Sequence, residues 1–278
     1  MKNNLRWAAL GAALFASFWL GLYKQAAAQE TRKVNILYIH ADDHRADGLN
    51  ALGNKLLQTP HLDSIAKSGM TFTRAYTMGS MIGAVCLPSR TMLLTGKSWL
   101  RIPAARGGDP AATLPKVLSA AGYETFHVGK GGNEYTAGIQ AFDQNIVMED
   151  RGQQRVGSSE RHADAVLKFL SERKSTRPFY IYLAPPVPHD PRLAAPEFMG
   201  RYAAKDIPLP ASFLPLHPFD NGEMTVRDEA LAPWPRTPED TKQQLADYYA
   251  CITGFDYHVG RIFAQLKASG QWENTVIV

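Results

Sequence analysis

The side chains with the most chemical potential fall into two groups. Asp42 and Asp43 stand side by side just after one apolar run, Lys130 follows a second, and His189 with Asp190 follows a third. Two adjacent carboxylates drawn toward another anionic group repel it unless a cation neutralises them, and oxygen ligands of this kind suit a hard divalent ion. A solvated Asp-Asp turn is the alternative, and the residue types alone leave both readings open. The second group is Cys86 with Arg90. Cys86 is followed by Leu87-Pro88-Ser89, whose proline has its φ preset for a first helical turn. The thiol therefore belongs at a helix start, where unpaired backbone N–H groups favour negative charge. Arg90, four residues on, falls about one turn away on the same face. A nucleophile at a positive helix end with a guanidinium beside it suits attack on a sulfate or phosphate ester, because fixed donors hold charge on the departing oxyanion.

Other chemistries fit less well. A thiolate phosphatase loop needs a longer spacing than the three residues between Cys86 and Arg90. A nucleotide-binding P-loop ending at Gly96-Lys97-Ser98 needs glycine where Thr91 stands. No Gly-x-Ser-x-Gly elbow is present. Two cysteines so far apart make no structural zinc site.

The elements that must carry these groups follow from apolar runs and their punctuation. Val34 to Ile39, Tyr123 to Val128 and Phe179 to Ala184 predict buried strands, and Thr275 to Val278 predicts the start of another. Helices are predicted from Thr59-Pro60 to Gly69, from Pro88 to Gly96, from Thr113 to Gly122 and from Glu160 to Ser171. A long one runs from Thr237-Pro238 to about Ser269, with Leu245, Tyr248, Tyr249, Ile252, Phe255, Val259, Ile262 and Leu266 on its apolar face. Cys251 lies in that helix and is expected to be a small buried hydrophobe. Strands alternating with helices predict an α/β fold, a mostly parallel sheet with helices on both faces, and such sheets bind ligands at the carboxyl ends of their strands. The proline-rich stretch from Pro185 to Pro238 is expected to be a surface excursion forming a pocket wall, with an interdomain linker as the alternative.

Composition fits a folded chain of 278 residues, 45% apolar and 20% charged, with no disordered or fibrous bias. Lys2 and Arg6, the apolar run Trp7 to Leu22 and the small residues Ala26 to Ala28 predict a signal peptide over residues 1–28. The mature chain is then expected to be secreted or periplasmic, with no membrane contact after cleavage. Setting aside Lys2, Arg6 and Lys24 leaves 27 cations against 26 anions, so bulk charge implies no nucleic acid partner.

The string Cys86-Leu87-Pro88-Ser89-Arg90-Thr91-Met92-Leu93-Leu94-Thr95-Gly96 resembles the signature of the type I sulfatases, members of the alkaline phosphatase superfamily. Asn35 to Asp43 is similar to that family's opening strand and Asp-Asp pair, Gly122 to Lys130 to its second motif, and Pro178 to His189 to its third. Tyr248 to Val278 resembles its long helix and following strand. The resemblance spans residues 29–278 and corresponds to the N-terminal portion of a catalytic domain, alkaline-phosphatase-like, whose C-terminal part is absent. It implies that Cys86 is oxidised by a formylglycine-generating maturation enzyme, the Cys-x-Pro-Ser-Arg form being compatible with the oxygen-dependent one. The hydrated aldehyde would then attack sulfur. It further implies Ca²⁺, less readily Mg²⁺, bound by Asp42, Asp43 and modified Cys86, with Arg90 holding the hydrate and Lys130 and His189 on sulfate oxygens. The expected activity is hydrolysis of a sulfuric ester on a sulfated small molecule or glycan; a phosphonate monoester or phosphodiester hydrolase, or an inactive relative, is the alternative.

Two departures are visible. The family's second motif usually continues to Trp-His after the lysine, where this chain has Gly131-Gly132-Asn133. Its metal site is also completed by an Asp followed by Asn or His, and a further lysine, downstream of the strand that begins here at Thr275. Two aspartates and one modified side chain fall short of the roughly six to eight oxygens calcium takes, so the 278-residue chain alone is not expected to be active.

Overall fold

The computed structural model describes residues 33–76, 85–102, 113–132, 135–216, 218–219 and 231–278. The predicted signal peptide and Asn133 lie outside the described residues. Asn35 to Val278 form one compact unit. The chain runs β1 (Asn35–Ile39), α1 (Pro60–Ser68), α2 (Cys86–Thr95), α3 (Leu114–Ala120), β2 (Glu124–Lys130), α4 (Thr136–Ile139), β3 (Gln144–Met148), α5 (Ser158–Glu172), β4 (Phe179–Ala184), α6 (Pro238–Ala268) and β5 (Thr275–Ile277). The strands form one sheet in the order β3-β2-β4-β1-β5, parallel throughout.

Strand periodicity divides the core. Leu37, Phe126, Val128, Phe179, Ile181 and Leu183 face one side and pack with α5 and α6. Ile36, Tyr38, Tyr180, Tyr182 and Ala184 face the other and pack with α2, α3 and α4. Helices therefore cover both faces of the sheet, as predicted. Cys251 is 3% exposed within the first of these clusters, and both cysteines are free.

The long helix α6 is buried on more than its apolar stripe, because α1 and the excursion after β4 cover its other side. A Cβ at Gly260 would lie 2.3 Å from the ring of His61 on α1, so only glycine lets the two helices approach this closely. Asp256 then accepts from the backbone N–H groups of Leu62 (2.7 Å) and His61 (3.3 Å), satisfying donors at the start of α1. The excursion folds back on α6: Ile207 packs with Tyr248, Tyr249 and Ile252, and Tyr202 shares a 2.6 Å hydrogen bond with Thr253. It belongs to the same unit and is not an interdomain linker.

Two boundaries and one edge strand depart from the sequence expectation. β2 continues past Val128 to Lys130, so this lysine ends the strand instead of following it. α2 starts at Cys86, two residues before Pro88, so the cysteine is its first residue. β3 was not foreseen: as an edge strand with Gln144 to Val147 exposed, it buries too little apolar surface to show a period. Among the described residues no helix is long and apolar enough to cross a membrane.

Candidate active site

The site is built where β1, β2 and β4 end. The chain after β1 stays beside the chain after β4 through an isolated bridge between Asp42 and Pro188, with Asp42 N–H donating to the Val187 carbonyl at 2.9 Å. Asp43 then adopts φ 60°, a left-handed conformation that aspartate tolerates. This interrupts the strand alternation that would send two consecutive side chains to opposite faces. Both carboxylates consequently reach the same neighbourhood, that of His189.

Asp42 is the hub. Its Oδ2 lies 2.5 Å from Lys130 Nζ, and its Oδ1 lies 3.5 Å from an Arg90 Nη and 3.4 Å from Cys86 Sγ. Asp42, Lys130 and Arg90 are all nearly inaccessible to solvent, so the two cations are held where only a paired charge is tolerated. His189 Nε2 lies 3.5 Å from Asp43 Oδ2, and its Nδ1 lies 3.0 Å from Asp190 Oδ1. The fold thus gathers Asp42, Asp43, Cys86, Arg90, Lys130 and His189 in one place and adds Asp190.

Electrostatics follow this packing. Burial works to raise the Asp42 carboxyl, but Arg90 and Lys130 outweigh it and hold it below the ordinary range. Partial desolvation pushes Asp43 up despite His189 opposite it. His189 is raised to about 10, first by its hydrogen bond to Asp190 and next by Cys86. His40 goes the other way, to about 4, through burial and then the positive charge of Arg90. It is held by Tyr182 Oη at 2.9 Å, whereas His44 bonds the Gly48 carbonyl at 2.8 Å.

The donor atoms of Asp42, Cys86 and His189 lie within 4.8 Å of one another, and so do those of Asp43, His189 and Asp190. Gathered carboxylates, one of them desolvated, suit a hard cation such as Ca²⁺. The thiol does not, because soft sulfur has no place in a hard-oxygen set. Oxygen at position 86 would remove the soft donor and leave carboxylate oxygens with one imidazole nitrogen, that of His189.

The glycine pair after Lys130 turns the chain sharply. Gly131 N–H donates to the Met148 carbonyl at 2.7 Å, and a Cβ there would meet Glu149 Oε1 at 2.6 Å. Gly132 has φ 75°, a conformation that disfavours any side chain. Tyr135 is 3% exposed and packs into the core with Leu94, while Trp234 lies half-buried under Arg236.

Sequence reasoning missed two residues. Arg155 closes a short 3-10 turn after β3, and its guanidinium donates to the carbonyls of Asp150 (2.8 Å), Pro186 (2.6 Å) and His189 (3.2 Å). It fixes the His189 loop to the exit of β3. Nothing in its polar neighbourhood signals this, because its partners are backbone carbonyls that every residue has. Tyr248 was assigned to the core by period, yet its hydroxyl donates to the Asp43 carbonyl at 2.7 Å and accepts from Arg45 N–H at 2.8 Å. A cavity of about 370 Å³ opens beside the cluster, bounded by Asp43 and His189 and, opposite, by Arg192, Arg236, Gln244 and Tyr248.

The sequence profile of the sulfatase family matches residues 34–278. The chain is 23% identical to the N-acetylglucosamine-6-O-sulfatase of Bacteroides thetaiotaomicron over 90% of its own length and 58% of that protein's. It is 27% identical to the human N-sulphoglucosamine sulphohydrolase, over 89% of this chain and 50% of that one. Its fold is shared with the phosphonate monoester hydrolase of Agrobacterium radiobacter, at a TM-score of 0.67 and 18% identity, over 88% of this chain and 61% of the other. The chain thus spans about half the length of the curated relatives it matches.

Proposed function

The chain belongs to the sulfatase family, and we propose that it carries the reacting groups of an exported hydrolase that releases inorganic sulfate from a sulfated carbohydrate. The observation supporting this most strongly is the position of Cys86, at a helix start 3.4 Å from a buried aspartate that also holds Lys130 and Arg90. A side chain there meets a buried carboxylate that is itself paired with two fixed cations, an environment matched to a tetrahedral anionic ester.

In this reading a maturation enzyme uses O₂ and two electrons from an external thiol to convert the Cys86 side chain to the formylglycine aldehyde, releasing the sulfur as hydrogen sulfide and one oxygen atom as water. One hydroxyl of the hydrated aldehyde would attack sulfur as the S–O bond to the alcohol breaks; loss of the proton from the second would then re-form the aldehyde and expel sulfate. Asp42 and Asp43 would hold Ca²⁺, which when bound would supply positive charge to offset that of the sulfate oxygens. Arg90, locked by burial and by Asp42, orients the side chain at 86. Lys130 Nζ, at the end of β2, and the His189 ring bind sulfate oxygens, and one of them protonates the departing alcohol. Arg155 keeps the His189 loop in register with that geometry.

The same groups would accept a phosphorus ester, so the test sets the two side by side. The full-length protein, matured in a host that makes formylglycine, is assayed with aryl sulfate, a sulfated monosaccharide, aryl phosphate and aryl phosphonate esters. A larger kcat/KM for the sulfuric esters is expected. A larger value for a phosphorus ester, or turnover of none of them, overturns the proposal.

A further inference from the structure

Arg192 stands out among the arginines beside the site for what it is not paired with. Arg45 forks onto Asp47 with two bonds of 2.8 Å, and Arg155 is consumed by three carbonyls. Arg192 donates to the neutral Gln244 Oε1 at 2.7 Å and rests 5.8 Å from the Tyr248 ring centroid, and among the described residues it forms no ion pair. Gln244 and Tyr248 fix the plane of the guanidinium without cancelling its charge. The acids that line the same cavity are engaged elsewhere: Asp43 and Asp190 against His189, Asp240 by the Thr237 hydroxyl at 2.8 Å.

We propose that Arg192, held by Gln244 and Tyr248, forms a subsite for a second anionic group of the substrate, a sulfate or a carboxylate on the sugar whose ester is cleaved at Cys86. This rests on the sulfuric-ester reading above and narrows its substrate class to sugars bearing two anions. Arg192 lies two residues past Asp190, so the subsite and His189 share one loop. Tyr248 links them a second time, its ring under Arg192 and its hydroxyl on the Asp43 carbonyl. The cavity, about 370 Å³, sits at the small end of ligand pockets and accommodates roughly one sugar ring. A guanidinium with most of its N–H groups unused binds a tetrahedral or planar oxyanion through paired, charge-assisted bonds.

The test measures binding by calorimetry to the full-length protein carrying Cys86→Ala, which removes turnover from the readout. The ligands are glucosamine 6-sulfate, glucosamine 2-N,6-O-disulfate and a sulfated glucuronic acid. The second anion is expected to tighten binding about tenfold. Arg192→Ala should abolish that gain and leave monosulfate binding unchanged, while Arg192→Lys recovers part of it. Whether the disulfate or the uronate shows the Arg192-dependent gain identifies the second group. No gain from either anion, or an equal loss for mono- and dianionic ligands in Arg192→Ala, overturns the subsite. In the protein matured at position 86, Arg192→Ala should lower kcat/KM more for the dianionic sugar esters than for aryl sulfate, and an equal loss for both would overturn the subsite. Failure of all sulfuric esters to react with the Arg192-dependent gain intact would overturn the hydrolase reading and leave the subsite standing.

Discussion

Asp42 carries the largest electrostatic load of any residue in the site, since it balances Lys130 and Arg90 in a place closed to water. Removing one cation should therefore hurt catalysis more than folding, because the other still pairs with the carboxylate. Lys130→Met is expected to lower kcat for aryl sulfate by roughly a hundredfold, with a native far-UV spectrum; an unchanged kcat would remove Lys130 from the reacting groups. Asp42→Ala removes the buried carboxylate that both cations face and should destabilise by about 3–5 kcal/mol, read as a reduced denaturation midpoint. At this scale the sequence was most informative where spacing encodes geometry: Cys86 and Arg90 sit one turn apart, and Asp42, Asp43 and His189 follow strands closely. Asp190 was visible only as the neighbour of His189. Arg155 was illegible because its specificity lies in the shape of the backbone it grips.

Elements position the site through their ends. Threonine-proline starts and glycine stops made α1 and α3 readable within about two residues, and continuous apolar runs did the same for β1 and β4. The edge strand β3 was unreadable, its register set by pairing with β2 and not by its own pattern. Arg155, just after β3, turns that pairing into a constraint on His189. Arg155→Ala is expected to lower kcat by about tenfold through a misplaced imidazole, with Arg155→Lys recovering little because an ammonium lacks the fork. Equal rates in all three proteins would contradict this role. Asp256 gives a separate test on α6. Burial pushes its carboxyl from 3.8 up to about 6, against the backbone donors of α1. A carboxyl raised in this way contributes stability that is complete below its unfolded value and is lost as pH rises through about 6. Thermal melts should accordingly show Asp256→Asn comparing better with the unmutated protein near pH 7 than near pH 4. A difference independent of pH would show that the carboxyl is not desolvated as described.

For the molecule as a whole, one parallel sheet delivers three strand ends to one edge, and α6 with the excursion after β4 walls the cavity beside them. That architecture was legible because strands and helices alternate in the chain. The proline-rich stretch was legible as a pocket wall, and Pro188, Arg192 and Arg236 do line the cavity, but its path was not, since that depends on packing against α6. Clustered carboxylates that hold a divalent ion would make the folded state sensitive to it. In the full-length protein, Ca²⁺ at about a hundredfold excess over its Kd should raise stability by roughly 2.7 kcal/mol, with a chelator reversing the shift and Mg²⁺ producing less. No shift with any divalent ion would remove the metal from the account.

The most direct measurement is mass spectrometry of the tryptic peptide containing Cys86, taken from protein co-expressed with a formylglycine-generating enzyme that modifies a control substrate in the same cells. The account predicts a peptide that has lost sulfur and gained an aldehyde oxygen at position 86, trapped by a carbonyl reagent. A fully retained thiol under those conditions would contradict it.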